Sequence, residues 1–189
     1  MASPRDDPLQ TYVPTKWKTP MTTQLDHHAT AQHAPSPNNP HQPLQGQRRH
    51  MTTTIDQDIT AILHEQMPLA RHNQVAASVS ADTDVVIMSA QWQPEFCGLG
   101  GVLHGGYLMA LADGAGATLA FVNLPAGAST TTVESKTNFF RPVTEGSVLA
   151  TATMVHKGRT TIVVQTDITN DQGALVSRTL QTQAVRPAR

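Results

Sequence analysis

The chain has 189 residues, 39% of them hydrophobic, 14% charged and 4% aromatic, with a formal net charge of −1. That length fits one domain of ordinary size and not two. A sequence pI of about 6.7 and no basic run beyond Arg48-Arg49 leave no electrostatic footprint for nucleic acid or an anionic membrane, so neither is an expected partner. The single cysteine, Cys97, excludes an intrachain disulfide framework and a cysteine-rich zinc site, and suits a reducing, cytoplasmic setting. No apolar segment follows Met1 to Asp7, so no secretory leader is expected.

Composition shifts near residue 50. Residues 1–50 hold eight of the thirteen prolines, five of the nine histidines and one glycine. A stretch such as His33 to Pro43 has almost no aliphatic side chains, so it cannot bury enough area to offset the entropy of ordering its backbone. Residues 1–50 are therefore expected to be a disordered extension, and 51–189 the folded domain. Deleting residues 1–50 is expected to leave thermal stability and turnover nearly unchanged; a large loss in either would refute this division. The histidines of the extension are irregularly spaced and lack acidic or thiolate partners, so no metal site is expected there.

From Thr54 the pattern is globular. Ile55, Ile59, Ile62 and Leu63 fall on one helical stripe, which predicts a short amphipathic helix capped by a threonine. Residues 75–92 carry β-type material around the turn-like Ala81-Asp82-Thr83-Asp84 and predict a hairpin. Leu103 to Val122 is the longest apolar stretch. Four further strands are predicted over 130–140, 147–156, 160–169 and 175–185, divided by Gly-bearing turns that spell an antiparallel meander.

The apolar stretch is long enough to cross a bilayer. His104 and Asp113 would be costly in lipid, the flanks lack basic asymmetry or an aromatic belt, and four strands follow, so a helix wrapped by a sheet is the better account. Its many Ala and Gly residues suit close approach of the sheet. Asp113 is the informative residue, because a carboxylate amid Leu111, Ala112, Ala115 and Ala117 must be paired, solvated in a cleft or altered in its titration. A plain solvated position is the competing account, although Met109, Ala110, Gly116 and Ala117 offer no polar stripe to join. His104-Gly105-Gly106 opens the helix, leaving backbone N–H groups uncovered at a positive helix end that suits an anion or a polarised carbonyl oxygen. Read alone, His104 is more readily a simple cap or a satisfied core histidine. Asp113 lies nine residues after His104, which is about 900° of turn and about 13 Å along a helix. Within one chain the two cannot meet a common small substrate, so a site using both requires a homodimer.

Taken in order, Gly98-Leu99-Gly100-Gly101-Val102-Leu103-His104-Gly105-Gly106, Leu111-Ala112-Asp113, Asn138-Phe139-Phe140-Arg141-Pro142-Val143-Thr144-Glu145-Gly146, His156-Lys157-Gly158-Arg159 and Asp171-Gln172-Gly173 resemble the acyl-CoA thioesterases of the phenylacetate-pathway and 4-hydroxybenzoyl-CoA type. The likeness covers about residues 66–187. It implies an α+β hotdog fold, an antiparallel sheet wrapped around a long central helix, and hydrolysis of an aromatic or medium-chain acyl-CoA by a homodimer or homotetramer, without cofactor or metal. By the resemblance, Asp113 is the catalytic base or nucleophile, the Gly105 N–H polarises the thioester carbonyl, and His104 positions the thioester or the loop before the helix. Thr132 orients water, with Thr130 and Thr131 as competitors. Gly106, Gly98, Arg141 and Arg159 contact substrate, the arginines through CoA phosphates, as Arg186 could also do. One position departs from the family, which usually carries Asn or Gln six residues before the His where this chain has Gly98. Loss of that donor would cost about 3 kcal/mol unless Cys97 or a nearby N–H compensates. The departure motivates an alternative, a non-catalytic acyl-CoA-binding protein, against which the retention of Asp113 argues.

Overall fold

The structure is a computed structural model and describes residues 55–187. The extension assigned to residues 1–50 lies outside them. A first helix, α1 (Gln57–Gln66), buries Ile59 and Leu63, two residues of the expected stripe. Its cap is Asp56 rather than a threonine: Asp56 Oδ1 accepts from the Ile59 N–H at 3.0 Å. The nearby Thr60 hydroxyl instead accepts from the Ala77 N–H at 2.9 Å, tying the helix to the sheet. A short second helix, α2 (Pro68–His72), which the sequence did not predict, follows with proline in its first turn, where the missing N–H is harmless.

The hairpin forms as β1 (Ala76–Val79) and β2 (Val85–Gln91). The central helix α3 (Gly105–Val122) begins later than Leu103. Leu103 is drawn into β-like pairing instead, bridging Cys97 and donating its N–H to Val143 O at 2.9 Å. Then come β3 (Ser129–Phe139), β4 (Ser147–Lys157), β5 (Thr161–Asn170) and β6 (Leu175–Arg186).

All six strands form one antiparallel sheet in the order β1-β2-β4-β5-β6-β3. Only β4, β5 and β6 make the expected meander. β3 leaves it and lies on the far edge beside β6, because the connection after Phe139 crosses back along the sheet, held by buried Val143 and by the Trp92 N–H on Gly146 O at 2.7 Å. The sequence placed the strands but not this crossover, since turn chemistry fixes the strand ends and says nothing of which neighbour pairs.

The helix packs on the inner face of this sheet, and that face changes character across it. Met88 sits opposite Ala150, and Ala150 opposite Ile168, all fully buried against Leu111, Ala115 and Leu119 of α3. Each such large side chain contributes about 1.5–3 kcal/mol of burial free energy. On β6 the inward residues are Ser177, Thr179, Gln181 and Gln183, all 0% exposed. The core is thus apolar under β2, β4 and most of β5, where the buried Thr166 hydroxyl donates to Ala112 O at 3.4 Å, and polar toward the β6–β3 edge. Ten residues of α3 are buried. A stripe of Gly106, Met109, Ala110, Asp113 and Ala117 stays partly or wholly open beside the edge strand.

Candidate active site

Asp113 is the one ionisable residue of that open stripe. Its Oδ1 accepts from the Thr132 hydroxyl at 2.9 Å and from Gln181 Nε2 at 2.6 Å. Of the three threonines weighed from the sequence, Thr132 is therefore the one that touches Asp113. Thr130 also faces inward, its hydroxyl 3.0 Å from Gln183 Oε1. Thr131, between them, points to the other face by strand alternation. Neither Gln181 nor Gln183 was singled out from the sequence. Their signal was the period-two polar run Ser177, Thr179, Gln181, Gln183, which resembles the solvent side of a strand and is in fact buried.

At the other end of the first turns, His104 caps α3, its Nδ1 accepting from the Gly106 N–H at 2.9 Å. That bond leaves the proton of the neutral ring on Nε2, the exposed end. The Gly106 N–H is thereby occupied and is not free for substrate. The Gly105 N–H, at the first helical position, has no acceptor within the described residues. The Phe139 ring leaves little cover for a side chain there: a Cβ on Gly105 would meet Phe139 Cζ at 3.3 Å. Beside this helix start lies a cleft of about 340 Å³ lined by Val102, Leu103, Leu108, Phe139, Phe140 and Arg141, among others.

Gly98 adjoins the same end. A Cβ at this position would lie 3.3 Å from His104 Cδ2, so a side chain here would project beside the capping histidine. Glycine supplies none, and Cys97 does not substitute, since its thiol donates to Gln93 O at 3.2 Å. The two arginines expected to hold phosphates are far apart in the fold. Arg141 borders the cleft, one guanidinium N–H donating to Leu175 O at 2.6 Å. Arg159 lies in the β4–β5 turn, next to Lys157, whose ammonium reaches Asn123 Oδ1 at the opposite end of α3. Arg186, at the end of β6, lies at that same far end, since the neighbouring Val185 N–H donates to Thr160 O. Gly105 and Asp113 are eight residues apart on α3, about 12 Å of helix axis. One chain therefore presents a carboxylate at one place and an uncovered N–H at another.

No group of three or more His, Cys, Asp or Glu side chains that could hold a metal occurs among the described residues. The profile of the Thioesterase superfamily matches residues 100–177. A Mycobacterium tuberculosis protein named "Putative esterase" is 33% identical over 101 residues, covering 50% of this chain and 72% of that protein. A relative of the same name from Haemophilus influenzae is 37% identical over 75 residues, 40% of this chain. The chain spans about half, 54%, of that relative's length. A crystal structure of a thioesterase from Haemophilus influenzae superposes with a TM-score of 0.64 at 26% identity, covering 71% of this chain and 91% of that one. The six-stranded antiparallel sheet around a central helix is the hotdog fold, and the chain belongs to the thioesterase superfamily.

Proposed function

We propose that this chain is an acyl-CoA thioesterase, hydrolysing an aromatic or medium-chain acyl-CoA to the free acid and CoA in a site shared between two subunits. The observation that carries the reading is Asp113: an ionisable side chain on an otherwise apolar open stripe of α3, with Oδ1 tied by two donors and Oδ2 without a hydrogen bond among the described residues. In the proposed chemistry Oδ2 either takes a proton from water as the hydroxide forms its bond to the thioester carbonyl carbon, or attacks that carbon itself. The carbonyl π electrons move to oxygen, where the partner subunit's Gly105 N–H stabilises the charge. The carbonyl re-forms as the C–S bond breaks, and the CoA thiolate takes the proton held on Oδ2 in the base route, or in the nucleophilic route a proton from the water that then hydrolyses the acyl-aspartyl anhydride to the free acid and restores Asp113.

The 12 Å between Gly105 and Asp113 in one chain supports the two-subunit site, as does the open stripe next to β3, an edge strand whose Val133 is 66% exposed. The apolar cleft beside Gly105 suits the acyl group, His104 Nε2–H can donate toward the thioester, and Arg141 at its rim suits a CoA phosphate. In this reading Arg159 and Arg186, at the opposite end of α3, would reach the nucleotide of a substrate bound across the dimer. The domain of residues 51–189 is the working unit, in a homodimer or homotetramer in the cytoplasm.

A second reading is a protein that binds acyl-CoA without cleaving it. Gly98 favours it, because neither a side chain there nor the Cys97 thiol supplies a donor beside His104. The deciding test is release of CoA thiol from a panel of aromatic and linear acyl-CoAs by the wild type and Asp113→Ala side by side. Turnover by the wild type is expected on at least one thioester. No turnover on any, with acyl-CoA binding retained, would establish the second reading.

A further inference from the structure

We infer that Gln181, backed by Gln183, is a positioning residue that fixes which oxygen of Asp113 faces the reacting water or carbonyl; this rests on the catalytic assignment of Asp113 made above. The geometry is a directed network. Gln183 Nε2 donates to Thr132 Oγ1 at 2.8 Å, so the single Thr132 proton goes to Asp113 Oδ1. Gln181 Nε2 donates to the same Oδ1 and reaches the Asp113 main-chain carbonyl at 3.3 Å. Turning the Gln181 amide over would set its oxygen against the carboxylate, so the donor orientation is the one the site requires. Two donors on Oδ1 hold the carboxylate in one orientation, and Oδ2 has no hydrogen bond among the described residues.

Two observations argue that Gln181 is kept for this purpose and not for stability. It is 0% exposed, and its Oε1 is buried without a hydrogen-bond partner. A buried, unsatisfied amide oxygen is destabilising relative to an apolar side chain of the same size. Room for it comes from Gly116, one turn beyond Asp113: a Cβ there would overlap Gln181 Oε1 and approach its Cδ to 2.9 Å. A glycine in mid-helix is itself unfavourable, so helix and strand both accept a local loss to seat this amide. A bulge at Val133, between Thr132 and Glu134, re-aims the edge strand next to Thr132, which still faces inward as Ser135 does beyond it.

The test compares Gln181→Met, Gln181→Glu, Gly116→Ala and the double variant Gly116→Ala/Gln181→Ala with Asp113→Ala, reading kcat, KM and melting temperature. Gln181→Met should melt no lower than the wild type yet lose about 10- to 100-fold in kcat, with KM changed less than about twofold, the scale of one hydrogen bond to a charged group. Gln181→Glu should show a deficit that grows as pH rises, because an ionised Glu at 181 can only accept. Gly116→Ala should lower both stability and kcat, and the double variant should recover stability but not kcat. Wild-type kcat in Gln181→Met alongside an inactive Asp113→Ala would overturn this inference alone. Full activity in Asp113→Ala would overturn the catalytic assignment, and the inference with it.

Discussion

Asp113→Ala is expected to lose at least about a hundredfold in turnover while the subunits stay associated and folded. The magnitude follows from the role: a positioned base contributes roughly 10²- to 10⁴-fold, or about 3–5 kcal/mol of barrier. The stability cost should be small by comparison. Asp113 is only partly buried, so truncation opens no sealed cavity. The groups it leaves behind, Gln181 Nε2 and the Thr132 hydroxyl, have other acceptors at hand in the Asp113 main-chain oxygen and in water. A net loss of about 1 kcal/mol per hydrogen bond is the expected scale. Asp113→Asn keeps the shape and removes the basic oxygen, so it should be nearly as inactive. Single turnover in heavy-oxygen water tests the nucleophilic route: label appearing in Asp113 marks an acyl-aspartyl anhydride opened at its aspartyl carbon, whereas label in the product acid arises both from direct attack of water and from opening of the anhydride at its acyl carbon. Unchanged turnover in Asp113→Ala would sink the assignment, and subunit dissociation would show that the carboxylate is structural.

The order of elements was legible because each long segment carries its own period. Ile59 and Leu63 recur at helical spacing, and the strands after Ser129 alternate between Gly-bearing turns. What the sequence could not display are relations between segments. The five-residue α2 is too short to carry a period of its own, and the move of β3 to the far edge depends on a crossover encoded in packing around Val143. The site was legible in the same uneven way. Asp113 stands out because a carboxylate in an apolar helix demands a reason, whereas Thr132, with Thr130 and Thr131 as competitors, came only from the family resemblance. Gln181 was hidden by the rule that apolar residues face inward. Along β6 that rule buries Leu180, whereas the protein leaves Leu180 47% exposed and buries Gln181, whose amide donates to Asp113 on the facing helix. Helix and strand were each readable alone. Their mutual demand was not.

Gly105→Pro should lose about a hundredfold or more in turnover, the usual consequence of deleting one oxyanion donor, and it does so without breaking the helix. Gly105 is the first residue of α3, where proline is tolerated because its N–H would be unpaired in any case. His104 already has φ −64° and ψ 135°, the extended conformation that a residue before proline prefers. The ring must displace the side chain of Phe139, which is 48% exposed and lines the cleft. Gly105→Ala is the control, adding a methyl against Phe139 while keeping the N–H, and it should retain most turnover. The two inactive variants then test whether sites are shared. In a dimer of one Asp113→Ala chain and one Gly105→Pro chain, both defects fall in one site and the other site is intact. Random mixing of equal amounts makes half the dimers mixed, so about a quarter of wild-type activity should return in a symmetric shared-site dimer. If each chain carried a complete site, mixing would restore nothing. Recovery near a quarter therefore fixes the carboxylate and the N–H donor on different subunits, and its absence, with mixed dimers demonstrated by tag capture, would place both in one chain and overturn the shared site.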